Sequence, residues 1–360
     1  MLRSFLPSCL PIVQSGMPHG NTNMALRLLL GNISQVVTWP RLPAIQVFEQ
    51  LHIQSASGFP GLVVDQHTSH AYVDRTVAEH RMEHLSLAYL NQDIAFATLK
   101  PEYAVGLNDL LHIPEDWPSD RAICSQLIGP LSLALQLTDE QHCPLIYDRV
   151  ILDALAQYLS LRSAWISHHL ADITSDSIIC LDEPWLHTLR SPFLPIDWDD
   201  AFDLLEQVFA GMKSCHGLIL NDVYRGTPYG TLPTDWLGLF ETSVELLLVN
   251  VYDYPAMLIQ AAASLPAFFE RGGSIAWGLI PANPVALLNE TTARLIDRFQ
   301  ALFQQLMAHG VHADDVLKSS FISTSDSLEH LSVDMAEQAI RRCVDVSAHL
   351  RRTYQMDGER

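Results

Sequence analysis

Two adjacent carboxylates, Asp182 and Glu183, follow the apolar run Ile178 to Leu181 and stand just before Pro184. The run is short and β-branched at Ile178 and Ile179, which predicts a buried strand. Pro184 ends it, because proline cannot donate to a central ladder. Parallel α/β folds bind ligands beyond the carboxyl ends of their strands. Asp182 and Glu183 are therefore placed to hold an amine or to move a proton. A turn with solvated acids is the other reading. Cys215 beside His216 suggests a metal or thiolate centre, with Asp326 as a third donor. Zinc takes about four ligands. Lys213, two residues before Cys215, could lower the thiol's pKa for covalent chemistry. A buried free cysteine and a surface histidine are the alternative.

The elements that must position these groups alternate. Strands are expected near residues 12, 36, 125, 179, 213, 248, 276 and 321, with helices between them in the second half. Tyr147 to Leu170 carries apolar residues at helical spacing, as do Thr291 to His309 and Val333 to Tyr354. Eight strands alternating with helices imply an α/β chain folded as one (β/α)8 barrel over residues 1–360. Residues 34–120 read as an N-terminal excursion that decorates the barrel, with a helix over 44–54, a small hairpin at 62–74 and a polar helix over 77–92. Residues 218–234, rich in Gly, Pro and Tyr, read as an inserted loop. At the strand ends stand Ser15, Gly16 and His19; Asp182 and Glu183; Cys215 and His216; Asn250 and Tyr252; Trp277; and Asp326. In a barrel they would converge on one mouth.

Composition narrows the partners. The 360 residues are 48% hydrophobic and 17% charged, enough for one large folded core. The net charge of −20 disfavours nucleic acid and anionic membranes, both of which need clustered Lys and Arg. No apolar run is long enough to span a bilayer. Six cysteines without a Cys-x-x-Cys pair, and an N-terminus without a signal-peptide pattern, point to reduced thiols in the cytoplasm.

Several stretches resemble the catalytic barrel of cobalamin-independent methionine synthase, within the uroporphyrinogen decarboxylase/methionine synthase-like superfamily, and in particular its short single-barrel relatives. Gln14-Ser-Gly-Met-Pro-His19 is similar to their Gly-Ser-Leu-Pro-His loop. Thr38-Trp-Pro-Arg-Leu-Pro43 and Gly58-Phe-Pro-Gly61 resemble Trp-Pro-Gln-Leu-Pro and Leu-Pro-Gly. Ile128-Gly-Pro-Leu-Ser132 resembles a Gly-Pro-Val-Thr turn. Asp182-Glu-Pro184 matches an Asp-Glu-Pro signature, and Gly272-Gly-Ser-Ile-Ala-Trp-Gly-Leu-Ile-Pro281 a Gly-Gly-x-Ile-Ala-Trp-Gly-Ile-Val-Pro strand. The resemblance covers roughly residues 10–355.

It implies methyl transfer to a thiol such as homocysteine, with Asp182 holding the amino group. The methyl donor would be a folate or a methyl-corrinoid, the latter carried on a partner protein. Ser15, Gly16, His19, Glu183, Asn250, Tyr252 and Trp277 would line the substrate site. The resemblance also implies zinc, which turns the thiol into a nucleophilic thiolate. The family's zinc ligands are a His-x-Cys strand end, an acidic residue on the next strand and a Cys in Pro-Ser-Cys-Gly-Leu. Here those positions read as Lys213-Ser214-Cys215, Asn250 and Thr324-Ser-Asp-Ser-Leu328. A lysine ammonium is no ligand. Three readings follow. The chain is a divergent methyltransferase, without the usual zinc or with zinc on Cys215, His216 and Asp326. It is a non-catalytic relative that binds a small thiol or amino-acid-like ligand, with a Lys213–Asp326 ion pair replacing the metal. Or it is a platform for a partner protein.

Overall fold

The computed structural model describes residues 6–112, 121–221 and 235–356. Its strands are β1 (Leu10–Pro11), β2 (Val36–Thr38), β3 (Leu62–Asp65), β4 (His70–Val73), β5 (Ala122–Ile128), β6 (Thr138–Asp139), β7 (Ser177–Asp182), β8 (Cys215–Leu220), β9 (Leu246–Val249), β10 (Ser274–Ile280) and β11 (Ser320–Thr324). Eight of them form one sheet in the order β1-β11-β10-β9-β8-β7-β5-β2, and every neighbouring pair is parallel. With helices between the strands this is the expected (β/α)8 barrel. The ring closes between β1 and β2 just beyond their ends. There the Arg41 N–H donates to Ser15 O at 2.7 Å and the Met17 N–H to Arg41 O at 2.9 Å.

Alternation along the strands sorts the core into two bodies. Leu10, Ile12, Cys124, Ile178, Cys180, Ile219, Leu248 and Phe321 fill the barrel's interior. Their neighbours in sequence, such as Val37, Ile179, Leu218, Leu247 and Ile322, face outward and meet the helices. Burial of each such side chain stabilises the fold by about 1.5–3 kcal/mol. Helix Arg149–Leu170 starts at Asp148, whose carboxylate accepts the Val150 and Ile151 N–H groups. Helix Trp198–Phe209 starts with a capping box between Asp197 and Asp200.

Of the segment 34–112, Val36–Thr38 is a barrel strand. Beyond it come a 3-10 turn at Val47–Glu49 and a short helix at Leu51–Ala56, not the single helix expected over 44–54. Then follow the antiparallel hairpin β3–β4 and helix Arg75–Leu90. Gly61 turns into β3 at φ +76, and a Cβ there would lie 2.5 Å from Asp74 O. Buried Arg162 donates to the Gln54 and Ser57 carbonyls that end helix Leu51–Ala56.

Two further boundaries differ from expectation, both at β8. The strand expected near 213 runs from Cys215 to Leu220, and Leu218–Leu220 belong to it, not to a loop. The apolar run Gly217–Leu220 is what enters the core, whereas Lys213 is an exposed turn residue. Residues 222–234 of the expected loop lie outside the described residues.

Candidate functional site

The carboxyl ends of the barrel strands carry the site, and alternation explains its make-up. Four interior-facing stripes are apolar low in the barrel and end in a polar residue: Ile12 then Gln14, Cys124 then Gln126, Cys180 then Asp182, Ile219 then Asn221. These side chains join. Gln14 and Asn221 exchange amide contacts at 3.3 and 3.4 Å, and Asn221 Nδ2 donates to Asp326 Oδ1 at 2.9 Å. Gln126 is a hub. Its Oε1 accepts from the Ser15 N–H at 3.0 Å and the Ser15 hydroxyl at 2.8 Å, and its Nε2 donates to Asp182 Oδ2 at 2.8 Å.

Above this floor lies a cleft of about 580 Å³, lined among others by Arg41, His52, Asp182, Asn221, Asp326 and Glu329. Asp182 is 8% exposed, and its second oxygen, Oδ1, has no hydrogen-bond partner. Burial, and then the charge of Asp326, push its carboxyl well above the usual carboxylate range. His52 is pushed the other way, down to about 4, by burial and by the charge of Arg41. Arg41 is itself buried, donating to Glu329 Oε2 at 2.5 Å and to Glu49 O at 3.0 Å. Gly16 passes beneath that ion pair. A Cβ there would meet Ser327 Oγ at 2.1 Å and Glu329 Oε2 at 2.4 Å, so a larger residue would displace these side chains.

The sequence-derived candidates divide. Asp182 and Asp326 line the cleft, and Ser15 supports it through Gln126. Asn250 lies beyond β9 but spends its amide on Asp253, donating to Oδ2 at 2.9 Å and accepting its N–H at 3.0 Å. Glu183 turns away from the cleft. It accepts the Leu131 and Ser132 N–H groups at 3.1 and 2.8 Å, where helix Pro130–Gln136 begins. Burial raises its pKa to about 7 against the pull of those N–H groups. His19 is 2% exposed and is not among the residues lining the cleft. Tyr252 donates to Glu290 Oε1 at 3.1 Å under the Arg298 guanidinium, on the outer wall. Trp277 faces the helix layer, packed on Phe299 and donating to Ser320 Oγ at 2.9 Å.

Lys213, Cys215 and His216 stand at the other end of the barrel. Cys215 opens β8, and the six residues from there to Asn221 span roughly 20 Å at the usual strand rise. Burial pushes its thiol far above the ordinary value, the reverse of an activated thiolate. His216 stacks on Phe209 and bonds to Ser243 through Nδ1. The set Cys215, His216 and Asp326 is therefore not brought together, and neither is a Lys213–Asp326 ion pair. The error lay in taking Cys215 as the end of its strand when it is the beginning. The donors at the floor are carboxyl and amide oxygens. Among the described residues no group of three or more His, Cys, Asp or Glu could hold a metal ion, so the described residues do not fit the implied zinc. Gln126 and Asn221 were missed, although the apolar-then-amide stripe of each strand was visible in the sequence.

The fold and its mouth define a (β/α)8 barrel with a carboxyl- and amide-floored cleft. No protein-family model matches the sequence, and no curated protein sequence matches it. Solved structures do share the fold. A methyltransferase from Methanosarcina mazei is 14% identical at TM-score 0.56, with 95% of this chain and 94% of that one covered. A putative vitamin-B12-independent methionine synthase from Listeria monocytogenes is 12% identical at TM-score 0.55, covering 91% and 85%. A B12-independent methionine synthase from a Shewanella species, in complex with selenomethionine, is 17% identical at TM-score 0.44. That match covers 66% of this chain and 64% of the synthase, less than two thirds of its length. At these identities the likeness is one of fold. Among the described residues no helix is long and apolar enough to cross a membrane.

Proposed function

We propose that this chain is a methionine synthase-like methyltransferase barrel whose mouth holds a small amino-acid-like or thiol ligand by its ammonium group. The observation that carries this reading is Asp182, a buried carboxyl that lines a cleft large enough for such a molecule and whose Oδ1 has no hydrogen-bond partner. Gln126 fixes Oδ2, so Oδ1 is the oxygen left for the ligand. An ammonium there restores the ionised carboxylate that burial and Asp326 oppose, and the charge-assisted bond is short and strong. The thiol and the methyl donor, a folate or a methyl-corrinoid brought by a partner, would meet above Asp182. No step is assigned to zinc, because Cys215 opens its strand instead of ending it and among the described residues no group of three or more His, Cys, Asp or Glu could hold the ion.

The floor of amide and carboxyl groups favours a second reading, a non-catalytic relative that keeps the ligand pocket. Isothermal titration with L-homocysteine and L-methionine tests the common core. Binding lost in Asp182→Asn supports it, and no binding by the wild type removes both readings. Methyl transfer to homocysteine, followed by mass spectrometry with folate and corrinoid donors, separates the two. Zinc content of protein purified without chelators, compared with Cys215→Ser, tests the metal separately.

A further inference from the structure

A second cleft, of about 430 Å³, lies in the segment between β2 and β5. Its floor is aromatic and aliphatic: Phe48 and Tyr103, with ring centroids 4.7 Å apart, and Phe59, Leu62 and Val64. One side is β3, the edge of the three-stranded sheet β3-β4-β6. The phase of the ladder shows which backbone groups face outward. Val63 pairs with Tyr72 and Val64 with Ala71, while the Asp74 N–H donates to Gly61 O at 2.9 Å. Bonds to β4 therefore fall to Val63 and Asp65. The N–H and C=O of Val64 and the C=O of Leu62 point to the open edge. Val63 is 37% exposed, and no proline or bulge interrupts β3. Such an edge is a template for a further strand.

The charged side chains on this cleft are Arg81 and Lys100, both exposed, in a chain with 21 basic and 41 acidic residues. Glu102 touches Lys100 only at 4.0 Å, at the surface. Backbone edge, apolar floor and basic walls together specify one kind of occupant. We propose that β3 docks an extended segment of a partner polypeptide, with alternating acidic and apolar side chains, as an added strand. Its backbone pairs with Val64, its apolar side chains enter the Phe48–Phe59–Tyr103 floor, and its carboxylates meet Arg81 and Lys100.

The test uses the full chain and a fluorescein-labelled peptide of sequence Glu-Val-Glu-Val-Glu, blocked at both ends, with Lys-Val-Lys-Val-Lys as control. Anisotropy should show binding of the acidic peptide, and hydrogen exchange should show the Val64 amide slowed by it. Val64→Pro removes the outward N–H and leaves the bonds to β4 intact, and should weaken binding about tenfold. Arg81→Glu with Lys100→Glu, both exposed, should weaken the acidic peptide about fivefold and favour the lysine peptide. This double variant carries the test if the proline variant does not fold. Equal binding of both peptides by the wild type overturns the proposal, as does unchanged binding by Val64→Pro. Self-association of the chain that Val64→Pro abolishes would make a second copy the occupant and also overturn it.

Discussion

Asp182→Asn should move affinity and stability in opposite directions. Asp182 is 8% exposed, with one oxygen bonded to Gln126 and the other without a hydrogen-bond partner. Its carboxyl is held well above the usual range by burial and by Asp326. A folded-state pKa raised above the unfolded value means that stability is fully present at low pH. It is lost as pH rises through the raised pKa, so at neutral pH the ionised form is a cost. Asparagine has nothing to ionise. It can turn its oxygen to Gln126, which leaves an N–H₂ toward the cleft. Relief of order 1 kcal/mol is expected, which for a chain of this length raises Tm by roughly 1–2 °C. The ligand ammonium meanwhile loses a charge-assisted bond and faces another donor. That costs about 1.5–3 kcal/mol, roughly 10- to 150-fold in Kd. Calorimetric unfolding and isothermal titration with L-methionine measure both quantities. In buffers of different ionisation heat, the wild type should release up to one proton per ligand below the raised pKa and none well above it. Affinity should accordingly rise with pH until the ligand amine itself deprotonates. An unchanged Kd in Asp182→Asn would refute the assignment of the site, and a fall in Tm would refute the electrostatic account.

Gln126→Leu strands the Ser15 N–H and hydroxyl as well as Asp182. It should lower stability by about 2–3 kcal/mol in denaturant unfolding and weaken the ligand about tenfold by calorimetry. Arg41→Leu leaves Glu329 without its buried partner and should cost about 3–5 kcal/mol, read in the same unfolding experiment. Cys215→Ser and Lys213→Ala lie at the far end of the barrel and should leave ligand affinity unchanged. A tenfold loss in either would place the site wrongly.

The barrel was legible because strand alternation and helical spacing survive in a single sequence. Residues near 36, 125, 179, 248, 276 and 321 all lie in barrel strands. Asp182 was legible because a proline follows it closely and fixes where its strand stops. Cys215 was misplaced for the converse reason. Gly217–Leu220 is followed directly by a stretch rich in Gly, Pro and Tyr, so the apolar run was absorbed into the loop and the strand was read one length too early. Glu183 parts from Asp182 because neighbours at a strand end diverge: Asp182 faces the interior, while Glu183 meets the start of helix Pro130–Gln136. The closeness of Glu183 to Gly129, where a Cβ would lie 2.1 Å from its carboxyl, is a tertiary fact with no local signature.

The closure of the ring has a mechanical consequence. Seven strand junctions are ladders, whereas the eighth is a clasp formed where Ser15 and Met17 meet Arg41. Under load the barrel should unroll from this clasp, turning the cylinder into an open sheet. The clasp shares its residues with the cleft, since Ser15 supports Asp182 through Gln126 and Arg41 lines the wall. A molecule seated in the mouth therefore acts as a rivet across the one weak joint. The force needed to pull the termini apart should report on occupancy of the cleft, even for a ligand that undergoes no chemistry there.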